Sequence, residues 1–190
     1  MTDKQILKSL LKVLTRSKKP KMFHSASHRI NNLKPLFLHT PPISKIKIIG
    51  DTDFVKKTEK ALNLIRMTDS DVWQTVWENI GIIKSAEKSG MYAFESPPVF
   101  KVGRLTAEAS LSWYASCICH DAYHSKLYHE YQEKHGKVPD NVWTGRKAEN
   151  LCIDFQTQFL KKINAPQEEI QHLQNMKNID YFSDYNARNW

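Results

Sequence analysis

Apolar positions along this chain recur with two periods, and the changes between them mark out its elements. Ile6, Leu7, Leu10, Leu11 and Leu14 fall on one side of a 3.6-residue spiral, with Lys4, Lys8 and Lys12 mostly off it. This predicts a basic amphipathic helix over residues 4–14, with Thr2 and Gln5 able to form a capping box. The pattern then lapses. Residues 17–42 are rich in Lys, Ser, Asn and Pro, end at Pro41-Pro42, and read as a linker or extended arm. Ile43–Ile49 alternates as a strand does, closed by Gly50. Asp51, Thr52 or Asp53 can cap a helix burying Phe54, Ala61, Leu62 and Ile65. A second helix, after Asp69 or Ser70, carries Val72, Trp73, Val76, Trp77 and Ile80 on one face. Short strands are expected at Gly81–Ile83, Met91–Phe94 and Val99–Val102. Pro97-Pro98 suits an edge strand or a strand's start, not a central strand, for the last of these.

From Thr106 the helical period returns, through Ala109, Leu111, Ala115 and Ile118 to about Tyr128. A loop holds Gly136, Pro139, Asp140 and Asn141. The next helix, roughly Arg146 to Ile163, is expected to bury Ala148, Leu151, Phe155, Phe159 and Ile163, and Pro166 ends it or starts another. The tail from Asn178 is aromatic and polar, and no internal repeat is visible. The order of elements predicts one α+β domain over residues 43–190, with a short mixed or antiparallel sheet packed on the long helix, behind a basic extension of residues 1–42.

Composition narrows the class. The chain has 190 residues, 41% apolar and 25% charged, enough for one soluble domain with a core. No apolar run approaches the ~20 residues that span a bilayer. The basic N-terminus lacks the uninterrupted apolar stretch of a secretory signal. Cys117, Cys119 and Cys152 cannot all pair within one chain, so reduced thiols and a cytoplasmic location are expected. Charge is lopsided: residues 1–50 hold eleven Lys and Arg against one acid, Asp3, while the rest is close to neutral. Such an arm can contact an anionic partner, whether nucleic acid, lipid or acidic protein, or can simply solubilise the chain.

The candidate chemistry lies in the long helix. His120 and His124 are four positions apart, on one helical face, and Asp121 follows the first directly. This is the layout of a helical zinc site with a built-in general base, His-Glu-x-x-His, with Asp in place of Glu. The chain carries its own control: His24 and His28 share the spacing but lie in the basic linker without an adjacent acid. Catalytic zinc takes three protein ligands and leaves a position for water. Glu149, 25 positions after His124 on the following helix, is the candidate third ligand, although a first-turn acid also favours a helix dipole without any metal. Cys117, one turn before His120, is either a soft ligand or a small buried hydrophobe.

With these residues, the region from Ile43 to Ile163 resembles the zincin metallopeptidases, closest to the subgroup whose third ligand is a Glu on the next helix. The resemblance implies a zincin-like α+β fold, one Zn2+ held by His120, His124 and Glu149, and Asp121 as general base. It also implies a peptide or protein substrate, whose backbone would pair with an edge strand within Met91–Val102. The chain departs from the family in two places. Asp121 is one methylene shorter than Glu, and Asp154 stands five positions after Glu149 where the family often has an Asp four positions on. Tyr123, Tyr128, His129, Arg146 and the C-terminal tyrosines are candidate oxyanion donors, and nothing in the sequence chooses among them.

Other readings share these residues. His120-Asp121 also resembles the His-Asp pair of the all-helical metal-dependent phosphohydrolases, but no His lies between His39 and His120 to complete that set. Asp121-x-x-His124 and Glu169-x-x-His172 are acid–His pairs of the kind di-iron bundles use. A non-catalytic adaptor working through the basic arm is the remaining possibility, and nucleic acid as its partner stays open.

Overall fold

The computed structural model describes residues 41–177, within the second of two units into which the chain divides, Thr40–Trp190. The expected 4–14 helix, most of the 17–42 linker, the His24–His28 pair and the tail from Asn178 lie outside the described residues.

The protein is α+β. A four-stranded mixed sheet runs in the order β1-β2-β4-β3, where β1 is Lys47–Ile49, β2 Ile82–Ser85, β3 Gly90–Tyr92 and β4 Val99–Val102. β1, β2 and β4 are parallel, and β3 pairs antiparallel to β4, with Met91 opposite Phe100. The sheet is incompatible with an all-helical fold. The predicted strand at Ile43–Ile49 is shorter than expected, because Ile43–Lys45 closes a 3-10 turn first. β4 is interior to the sheet, which corrects the expectation that this strand would not be central. Pro97 and Pro98 precede it, so its ladder keeps every amide, and Val99, Phe100 and Val102 are buried.

α1 (Thr52–Thr68) and α2 (Ser70–Asn79) make the crossover from β1 to β2. Each begins at an aspartate whose carboxylate accepts backbone N–H groups: Asp51 from Phe54, Asp69 from Asp71 and Val72. Their apolar faces pack with Ile83, Phe100 and Val102 of the sheet into one core around Trp73, Leu62 and Ile65. Pro41 and Pro42, read as linker, are fastened to α2: their carbonyls accept from the indoles of Trp73 and Trp77.

The long helix predicted from Thr106 is two helices. α3 (Arg104–Glu108) stops at Ala109, and Ser110 caps α4 (Leu111–His135), its Oγ accepting from the Trp113 amide at 3.0 Å. α4 runs past Tyr128 to Gly136, whose φ of +78° ends it in the left-handed region that glycine tolerates. After the short α5 (Asp140–Trp143), α6 (Arg146–Lys162) packs along α4, and α7 (Gln167–Met176) closes a second core with Ile153, Leu160, Ile170 and Leu173. The α6 stripe differs from expectation. Leu151 is 39% exposed, and the buried face is Ala148, Glu149, Cys152, Gln156 and Phe159 with their neighbours. A polar, chemically equipped face points at α4.

Candidate metal centre

His120 and His124 occupy successive turns of α4, their ring centroids 4.8 Å apart and their Nε2 atoms 3.0 Å apart. Glu149, in the first turn of α6, brings Oε2 to 3.3 Å from His120 Nε2 and 3.4 Å from His124 Nε2. Metal–ligand bonds of about 2.0–2.1 Å in a tetrahedral site put donor atoms roughly 3.3–3.4 Å from one another. The three atoms already stand close to that spacing. The start of α6 is fixed by backbone contact: a side chain on Gly145 would meet the Asn141 carbonyl oxygen at 2.8 Å, and the Gly145 carbonyl accepts from the Glu149 amide.

Hydrogen bonding decides which ring nitrogens face this point. The Trp143 carbonyl can only accept, so His124 Nδ1–H donates to it and Nε2 keeps its lone pair. A longer relay does the same for His120. The Trp113 carbonyl accepts from the Ser116 hydroxyl, which accepts from Gln156 Nε2 at 2.9 Å. That turns Gln156 Oε1 toward His120 Nδ1, 3.0 Å away, which therefore donates. When both rings are neutral, two imidazole lone pairs and a carboxylate oxygen converge, an arrangement that suits a cation.

A cysteine lies beside the two histidines. One ring nitrogen from each histidine and Cys152 Sγ all lie within 4.8 Å of one another, a group that could hold a metal ion. Without a metal, a proton fills the gap. Burial disfavours a charged His124, but Cys152 and Glu149 outweigh it and push its pKa well above the ordinary histidine value. Burial likewise acts to raise Glu149, but His120 and His124 hold its carboxyl far below the usual range. Asp121 moves the other way: burial pushes it up to about 6, against the pull of His120 and His124. It is not bonded into the cluster but lines the same cavity.

That cavity, about 700 Å³, is floored by His120, Asp121, His124 and Glu149. Its walls include Tyr92, Phe94, Trp113 and Trp143. The candidate ligands His120, His124 and Glu149 are thus brought together, with Asp121 beside them. Cys117 is not gathered in. Its Sγ sits 3.9 Å from Gln156 Nε2, and burial raises its thiol pKa. Asp154 is exposed and paired with Lys177. Of the oxyanion candidates, Tyr123 packs on Phe155, Tyr128 packs on His129 and Trp143, and none of these three nor Arg146 lines the cavity. Glu169 accepts from Ser110 and Ser112, and His172 stacks on Trp113, so this pair does not build a di-iron set with Asp121 and His124. Sequence reasoning missed Cys152 and Gln156. Their positions three and seven after Glu149 on one helix were the available signal.

No protein-family model matches the chain, and no curated protein or solved structure matches it. Among the described residues no helix is long and apolar enough to cross a membrane. All three cysteines are free thiols.

Proposed function

We propose that the protein is a zinc-dependent hydrolase of zincin type that cleaves peptide bonds, with His120, His124 and Glu149 as the metal ligands and Asp121 as general base. The observation that carries this reading is the convergence of His120 Nε2, His124 Nε2 and Glu149 Oε2, with both Nδ1 protons already committed elsewhere. The donor set, nitrogen and oxygen in a compact triangle, suits zinc. When bound, zinc supplies an acidified water and polarises a carbonyl.

The chain's own residues supply the rest. Asp121, which lines the same cavity beside the His120–His124–Glu149 cluster, is the carboxylate available to take the proton of an attacking water and pass it to the leaving amine. The cavity is walled in part by the aromatic side chains of Tyr92, Phe94, Trp113 and Trp143. Gly90, Met91 and Tyr92 line it, and β3 is the edge of the sheet among the described residues. An extended substrate can therefore add to β3 by backbone pairing while one side chain enters the cavity.

The test is hydrolysis of a fluorogenic peptide library by the zinc-loaded full chain, with Asp121→Asn and His120→Ala alongside. Turnover in the parent, with loss in Asp121→Asn at unchanged zinc content, supports the reading. Equal turnover in parent and His120→Ala would reject it.

A further inference from the structure

Three thiols sit in the helical core, each in a different setting. Cys119 belongs to the apolar cluster under the sheet, and Cys117 accepts weakly from Gln156. Cys152 alone gathers with the ring nitrogens of His120 and His124. It is fully buried and one helical turn beyond Glu149, so both side chains leave α6 toward α4. Resting on the metal-binding reading above, we propose that Cys152 is a fourth protein ligand of the same ion, and that its thiolate occupies the coordination position a water nucleophile needs.

Two arguments support this. The first is charge. A divalent ion with two neutral imidazoles, one carboxylate and one thiolate is neutral overall, whereas the same ion with water in place of the thiolate keeps a net positive charge. A buried site favours the neutral assembly. The second is coordination number. Zinc sites with four protein ligands are closed and structural, and those with three are open and catalytic. This chain holds residues for both states on one face, so its resting state is closed and opens by exchange. On opening, Cys152 would leave as a thiol with a proton from the incoming water, and His120, His124 and Glu149 would continue to hold the ion. No oxidant is required.

The direct test is zinc K-edge X-ray absorption on the full chain loaded with zinc alone. The expected result is one sulfur at about 2.3 Å beside nitrogen and oxygen neighbours. Bound zinc with nitrogen and oxygen only would overturn the Cys152 proposal and leave the hydrolase reading standing. No bound zinc would overturn both. Cobalt substitution locates the sulfur. A thiolate-to-cobalt band in the near ultraviolet should be present in the parent and lost in Cys152→Ser at equal cobalt content. A band that persists in that variant would assign the sulfur to another cysteine and overturn the proposal. Peptide turnover should rise several-fold in Cys152→Ser, since the water position is then vacant.

Discussion

At the scale of single residues, tautomer control separates this site from a chance pair of histidines. Gln156 is held by Ser116 so that its oxygen faces His120, and the Trp143 carbonyl does the same for His124. Gln156→Ala frees His120 to take the wrong tautomer. Partners of this kind are typically worth 10–100-fold in metal affinity. We expect that loss by competition against a zinc chelator, whereas His120→Ala or His124→Ala should abolish binding. The same competition should show a pH dependence of fixed sign. The raised pKa of His124 means that metal displaces a proton there, so affinity falls as pH drops and levels off only above that pKa. Affinity that stayed flat from pH 8 to pH 6 would contradict the cluster. The pairing of His120 with His124 was legible in the sequence because spacing on a helix is local information, and Glu149 was placed beside it only by its position at the start of the following helix. Gln156 and Cys152 were not, because their meaning comes only from the packing of α6 on α4.

At the scale of elements, helix starts were the readable part and buried faces the less readable one. Asp51 and Asp69 cap their helices as the sequence implies, and Ser110 splits a helix that the apolar period alone would have run through. The α6 stripe went astray at Leu151, since the face turned to α4 is built partly from Glu149 and Gln156, and hydropathy counts those as surface. This difference can be measured. Phe159 is fully buried, and Phe159→Ala should cost about 3–5 kcal/mol of stability, while Leu151→Lys should stay within about 0.5 kcal/mol. Comparable losses in both would restore the original stripe. Asp69 adds a pH signature. Burial acts to raise its carboxyl, but Lys162 and the Val72 and Asp71 amides outweigh that and hold it below the usual value. Its folded pKa is depressed, so its stabilisation is present above the ordinary carboxylate pKa and lost as pH falls through that range. Asp69→Asn should flatten that part of the acid-unfolding curve.

At the scale of the whole molecule, the ion would join two helices that meet only through packing and a few side-chain hydrogen bonds. The α+β architecture was legible in the alternation of periods. The interior place of β4 was not, because prolines ahead of a strand read the same whether it lies at the edge or inside. Metal bound across α4 and α6 stabilises the folded state in proportion to its occupancy, so chelation should lower the melting temperature of the parent and leave His124→Ala unaffected. The most direct test of the central claim is elemental analysis of the full chain purified without a polyhistidine tag and without chelators. Close to one zinc per chain is expected, lost in His120→Ala and His124→Ala. Protein that stays metal-free even after reconstitution with zinc would contradict it, and would leave His120, His124 and Glu149 as a proton-bridged structural cluster.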